Sequence, residues 1–303
     1  MEAIISLFLL QSAGLLAYKL LSKLSSNSVE SKNIEQYIFF FLTNCLVACL
    51  FFFITGGFQV HINLPTFYYS LAFSGAVFLN LISALLVYRF ASVAMVNIVS
   101  CGSVAALSPL VGWLLFNEAI YPMTWLRVAV ILIAVTFLYI DLKVQDRRAQ
   151  SEKSKRTQWL PLLLLLFTTV LGLLGTSVVN KYFMLDATVT NESSLCFLTN
   201  VVLIAGASAI LMIRAIFAPQ KVQQAFKALS IKNILLWSGN VVSGNIGTLV
   251  GFWLLLRMDI AVYTPVYSAL GILLSTVTSI ILKEKLTIYS YIATALACIA
   301  VIL

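Results

Sequence analysis

Ten stretches of this chain run for roughly twenty residues each, mostly apolar and nearly free of charge, which is the length an α-helix needs to cross the hydrocarbon core of a bilayer. They lie near 2–24, 36–56, 67–89, 92–116, 121–142, 160–183, 193–217, 233–256, 260–282 and 286–303. In hydrocarbon every backbone N–H and C=O must be bonded within its own segment, so each stretch is expected to be a spanning helix. Composition agrees: of 303 residues, 61% are hydrophobic and only 10% are charged, against about a quarter charged in a soluble domain. A soluble fold cannot bury this much apolar surface, because its surface grows too fast relative to its core. The first stretch lacks the positive residues that open a signal peptide and carries Glu2 instead. It is therefore read as a retained first helix. The expected fold class is an all-α integral membrane protein of ten transmembrane helices.

The connections set the orientation. Loops after the first, third, fifth, seventh and ninth spans, with the adjoining helix ends, hold sixteen of the 19 basic residues, among them Lys19, Lys23, Arg89, Lys143, Arg147, Arg214, Lys221, Lys227, Lys232 and Lys283. The opposite side holds three: Arg127, Lys181 and Arg257. Basic loops stay in the cytoplasm, which places both termini on the non-cytoplasmic side of a cell (plasma or inner) membrane. The net charge of +8 is accounted for by this asymmetry. It forms no groove-sized basic patch, so nucleic acid is not an expected partner. Residues 218–232 place Val222, Phe226 and Leu229 on one helical face opposite Lys221 and Lys227. That pattern fits a short helix lying in the headgroup layer, or equally a solvated loop.

The chain also repeats itself. GLLAYKLLSK runs from Gly14 to Lys23 in the first span, and GLLGTSVVNK from Gly172 to Lys181 in the sixth. FLTN occurs at Phe41–Asn44 in the second span and at Phe197–Asn200 in the seventh. The fourth and ninth spans close on Glu118 and Glu284. Three matches in the same order define two related five-helix halves, 1–142 and 160–303, joined by a charged cytoplasmic linker at 143–159. An odd number of helices per half inverts the second relative to the first, and the charges agree: Lys23 falls inside, Lys181 outside. Inverted repeats suit alternating access around a site between similar halves.

With these features the sequence resembles the drug/metabolite transporter superfamily, in particular its ten-helix EamA-type members. The resemblance covers nearly the whole chain. It rests on the five-plus-five repeat, the Gly-to-Lys pattern of the first and sixth spans, and the apolar helices closing on Glu in SPLVGWLLFNEAI and STVTSIILKEKLT. It implies a polytopic carrier whose central cavity is lined mainly by the first, third, fourth, sixth, eighth and ninth spans. One departure matters. In the four-helix small multidrug relatives a proton-titrating Glu in the first helix is followed by Gly three residues on and Lys eight on. Here those positions read Gln11, Gly14 and Lys19. A neutral amide carries no such proton, so the resemblance does not bring antiport by that route with it.

Candidate substrate contacts follow from polarity at membrane depth. Lys19, the deepest basic residue, reads as an anchor for an anionic substrate or as a lysine snorkelling to the headgroups. An asparagine facing lipid leaves its hydrogen-bonding groups unmet. Asn80, Asn97, Asn180, Asn240 and Asn245 are therefore expected to face protein or a wet cavity, whereas Asn44 and Asn200 read as structural. Gln11, Tyr18, Trp253, Tyr263 and Tyr267 complete the candidate set, the rings being suited to holding an amine by cation–π attraction. Glu118 and Glu284 read as membrane-edge residues accepting backbone N–H bonds, with Arg127 a candidate partner for Glu118. Lys23 and Lys181 read as helix-end anchors. Ser243, Gly247 and Gly251, with Gly244 beside them, make a close-packing face on the eighth span. Pro109 and Pro265 are candidate bends.

The expected function is a secondary transporter for a small polar metabolite such as an amino acid, amine or nucleoside-like solute. It would act as a monomer or homodimer in the lipid bilayer, with a proton or counter-solute left open as coupling partner. A lipid flippase or accessory membrane subunit is the alternative. An intramembrane enzyme fits poorly: the only histidine, His61, lies in a loop and no GxSxG occurs. No nucleotide-binding motif is present. Cys45, Cys49, Cys101, Cys196 and Cys298 sit in apolar runs without metal-ligand spacing, so no cofactor is expected.

Overall fold

A computed structural model describes residues 2–26, 34–87, 93–149, 159–189, 191–227, 229–282 and 287–303. Part of the charged linker, the Arg89 loop and the Lys283–Glu284 corner lie outside the described residues. The described chain is all helical. Its elements are α1 (Glu2–Ser26), α2 (Ile34–Thr55), α3 (Leu64–Val87), α4 (Val93–Phe116), α5 (Pro122–Ala149), α6 (Trp159–Leu185), α7 (Glu192–Phe217), α8 (Pro219–Lys227), α9 (Ile231–Arg257), α10 (Ile260–Ile281) and α11 (Ile288–Ile302). Ten of these overlap the expected spans. The eleventh, α8, decides between the two readings left open for 218–232 in favour of a short helix. Helix α5 continues through Lys143 and Arg148 to Ala149, into the stretch read as linker. The residues there, DLKVQDRRA, are mostly good helix formers, and a helix does not stop where hydropathy does.

Five helices among the described residues are long and apolar enough to cross a membrane: Ile4–Leu21, Ile34–Thr55, Glu192–Phe217, Ile231–Arg257 and Ile260–Ile281. Shorter apolar helices run over Leu64–Leu79, Gly102–Phe116, Pro122–Phe137 and Ile288–Ala300. Large apolar side chains such as Leu114, Phe167 and Met212 stand exposed. Apolar side chains on the outside of long helices suit lipid, and the chain is a membrane-embedded protein.

Two compact units form, each drawing on both sequence halves. The first comprises residues 1–74 and 182–254, the second residues 75–181 and 255–303. In the first unit α2 pairs with α7, and α8 rests on both. Its core is aromatic: Phe52, Phe183 and Phe252 pack with Leu195 and Cys196. Phe183 meets Tyr69 edge-on at 5.8 Å and Phe252 at 6.3 Å. Helix α7 starts where Asn191 accepts the Ser194 N–H at 2.7 Å, with Glu192 in its first turn.

In the second unit α4 pairs with α10 and α5 with α11. Here the contacts are small. Ala293, Ala297 and Ala300 of α11 meet Ile131 and Ala134 of α5 and Ala269 and Ile272 of α10. Small residues at helical spacing let backbones approach, the packing that a membrane favours because apolar burial alone gives no preference for protein over lipid.

Candidate functional site

In the first unit, α1 and α9 touch along an antiparallel seam. Gln11 Nε2 donates to the Gly247 carbonyl at 3.3 Å. A Cβ on Gly14 would stand 3.2 Å from the Ser243 carbonyl oxygen, and one on Gly244 would meet the Tyr18 ring at 3.0 Å. Gly239 faces Leu21 further along. The small face of α9 therefore admits α1 at backbone distance, and Gln11 and Tyr18 are placed by that contact. The hydroxyls of α9 turn inward on their own helix: Ser243 donates to the Gly239 carbonyl at 2.9 Å and Thr248 to that of Gly244 at 3.2 Å.

The amides of α9 behave differently. Asn240 is only 5% exposed, yet its Oδ1 has no hydrogen-bond partner among the described residues. Asn245 Nδ2 is buried and likewise unmet. Five residues separate them, roughly 140° around the helix, so they address two different faces. On α2, Asn44 Oδ1 is also buried and unmet, whereas its repeat counterpart Asn200 donates to the Cys196 carbonyl of its own helix at 2.8 Å. Asn44, read from sequence as structural, therefore carries the same open valence as the candidate amides. Trp253 and Tyr18 are partly exposed and Lys19 is half-buried.

In the second unit the polar atoms divide. Asn180 Oδ1 on α6 and Thr264 Oγ1 on α10 are buried without a hydrogen-bond partner among the described residues. Thr264 sits next to Pro265, between Tyr263 and Tyr267, whose rings stack with centroids 5.8 Å apart. Sequence reasoning passed over Thr264, although its place between two candidate tyrosines was visible. Asn80 and Asn97 lie on α3 and α4, but their side chains are outside the described residues.

Glu118 and Lys181, by contrast, are saturated. Helix α4 ends at Phe116, and Asn117 takes a left-handed conformation, φ 52°, that Asn tolerates better than most residues. This turn folds Glu118 back so that its N–H donates to the Gly112 carbonyl at 3.2 Å. A Cβ at Gly112 would collide with Glu118 Oε2. The carboxylate then accepts the Ile260 N–H on Oε1 and the Ala261 N–H on Oε2, both at 3.0 Å. These are the orphan donors of the first turn of α10, whose own N-cap residue, Asp259, makes no side-chain cap bond. Lys181 Nζ stands 3.7 Å from Glu118 Oε1 and donates to the carbonyls of Leu255 at 3.0 Å and Met258 at 2.9 Å. One buried ion pair thus closes the end of α9 and the start of α10 together. The capping role expected of Glu118 and Lys181 is present. The partner is not the expected one: Arg127 Nε instead donates to the Ala300 carbonyl at 3.1 Å, because α5 pairs with α11.

No family model matches the chain, and no curated protein does. A solved structure, described only as a crystal structure of a protein, is similar over 98% of this chain and 95% of its own, with a TM-score of 0.64 at 17% identity. At that identity the likeness speaks for the fold alone: a polytopic helical arrangement that recurs in an experimentally determined chain.

Proposed function

We propose that this chain is a secondary carrier of the drug/metabolite transporter superfamily, of the ten-helix EamA type, moving a small polar metabolite by alternating access. The observation that carries the reading is the set of buried amide atoms that have no hydrogen-bond partner among the described residues, Asn240 Oδ1 and Asn245 Nδ2 in the first unit and Asn180 Oδ1 in the second. A membrane helix keeps such atoms only where something polar meets them, since an unmet amide in hydrocarbon costs several kcal/mol. A polar solute that comes and goes is such a partner. The ninth-span rings Tyr263 and Tyr267 add a stacked aromatic surface on which an amine or a planar base can rest.

Helices at matching positions of the two sequence halves pair with one another: α2 with α7, α4 with α10 and α5 with α11. This supports the inverted repeat, in which a pseudo-two-fold relation brings counterparts together, and with it alternating access. Both termini on the non-cytoplasmic side follow from the charge asymmetry. A reporter fused to the C-terminus that reads cytoplasmic would reverse that orientation.

The direct test is a thermal-shift screen of the purified protein against amino acids, amines and nucleosides, because a ligand of the native state raises apparent stability. A hit is then followed into liposomes, with and without a pH gradient, which separates substrate from coupling. Asn245→Ala and Tyr267→Ala are expected to abolish uptake of that solute while expression holds. Full transport by both variants would remove them from the site.

A further inference from the structure

The connection between α7 and α9 combines two features that nothing in a solute pathway uses. It carries a run of basic charge: between residues 193 and 258 the chain has no Asp or Glu, and Lys221, Lys227 and Lys232 stand exposed within it. It also holds out apolar side chains that stay largely exposed: Ile216 is 76% exposed, Phe217 81%, Phe226 63% and Ile231 79%.

The segment is nonetheless held in place. Helix α8 packs on α2 and α7, Ala225 is fully buried, and Phe226 contacts the Phe39 ring of α2 at 5.9 Å. Ser230 accepts the Asn233 N–H at 3.2 Å to start α9. The acidic residue of α2, Glu35, is buried and engaged by Arg214, whose Nε and Nη2 both donate to its Oε1 at 3.0 and 2.5 Å. Arg214 takes the neighbouring carboxylate, to which the charge of Lys221 also contributes, while Lys221 and Lys227 of α8 and Lys232 at the start of α9 stand exposed and Val222, Ala225 and Phe226 share one arc of α8.

We propose that this α8 elbow is a binding surface for anionic phospholipid headgroups. Lys221, Lys227 and Lys232 engage the phosphates while Ile216, Phe217, Phe226 and Ile231 enter the upper acyl layer. The charge is of one sign and the apolar residues flank it within a few turns, which matches a headgroup over its own chains and matches neither a free anion nor a neutral lipid. Lipid binding here rests on membrane embedding alone and is independent of what the chain carries.

The test uses the full chain purified in a neutral detergent, with lipid retention read by native mass spectrometry. Phosphatidylglycerol is expected to be retained and phosphatidylcholine not, and raising salt should weaken retention. Lys221→Gln, Lys227→Gln and Lys232→Gln combined should lower phosphatidylglycerol affinity on the order of a hundredfold, while the triple Lys→Arg variant keeps it. Equal retention of the two lipids, salt-independent retention by the wild type, or wild-type retention by the triple Gln variant would overturn the proposal. Inorganic phosphate raising the melting temperature as far as phosphatidylglycerol does would also overturn it, in favour of a free-anion site.

Discussion

The seam between α1 and α9 and the corner where α4, α6, α9 and α10 meet are both polar places buried in an apolar chain, and they resolve their polarity in opposite ways. At the corner, Glu118 and Lys181 use up every bond within reach: two helix N–H donors, two helix carbonyls and one another. On α9, Asn240 and Asn245 keep atoms open although burial makes that unfavourable. A saturated network holds elements together and has nothing left to offer a solute. An unsaturated one is strained by its own desolvation until a partner arrives, which makes it the better place to look for binding.

The largest effect is expected at the saturated corner. Glu118→Ala leaves Lys181 buried without its counter-charge and two N–H groups of α10 uncapped, a loss of about 3–5 kcal/mol. Lys181→Met should cost a similar amount, and the double variant less than the sum, as thermal unfolding of the three purified proteins will report. If the losses simply add, the two residues do not act as one unit and the contrast with α9 fails. Next in size is the seam itself. Gly14→Ala drives a methyl to 3.2 Å from the Ser243 carbonyl oxygen, an overpacking worth about 1–3 kcal/mol. Gly247→Ala meets nothing within 4 Å and should be neutral or slightly stabilising, since alanine is the better helix former.

Asn240→Ala sharpens the comparison from the other side. Its Oδ1 holds no partner among the described residues, so stability should change by about 1 kcal/mol or less. Binding of any ligand found by thermal shift should instead weaken by about tenfold, the worth of one good hydrogen bond. A variant that unfolds readily but binds normally would make Asn240 a packing residue and remove the α9 amides from the proposed site.

How far the sequence foretold this contrast depends on whether the information was local. The helices were legible because hydropathy over twenty residues is a local property; α8 was only half legible, since the shared face of Val222 and Phe226 fits a helix but so short a polar stretch fits a loop as well. The end of α5 was not, since the polar helix formers after Asp141 look like linker to any measure of hydropathy. Glu118 was legible as a cap from its place after an apolar run. Its true partner was not: Arg127 is near in sequence and Lys181 remote, and the pairing of α5 with α11 that turns Arg127 towards Ala300 leaves no trace in either segment. Gly112 and Asn117 did carry a signal, a glycine followed by an Asn–Glu pair at a helix end, which is what a chain needs to fold a carboxylate back on itself. Among the asparagines, polarity at membrane depth singled out residues of which several keep buried atoms open. It could not tell Asn44, which keeps an open oxygen, from Asn200, which bonds its own helix.

The smallest effect tests saturation without burial. In the loop after α6, Asp186 Oδ1 accepts the Thr188 hydroxyl at 2.6 Å and the Thr188 N–H at 2.8 Å, and Oδ2 accepts the Tyr69 hydroxyl at 3.1 Å. These donors, the Thr188 hydroxyl first, hold the carboxyl below its ordinary range. A carboxylate whose pKa is depressed on folding contributes stability that is present above its unfolded value, near 3.9, and is lost as pH falls through the lower folded value. The loop is open to solvent, so only its local order is at stake. Amide hydrogen exchange at Thr188 and Val189 should be slow at neutral pH and accelerate, beyond the intrinsic pH dependence of exchange, once pH drops well below about 4. Asp186→Asn should remove that added dependence while leaving α6 and α7 intact. Exchange that follows the intrinsic curve alone in the wild type would mean that the Thr188 and Tyr69 bonds do not order the loop. Hydrogen-bond saturation would then stabilise this chain only where, as at Glu118, it is also buried.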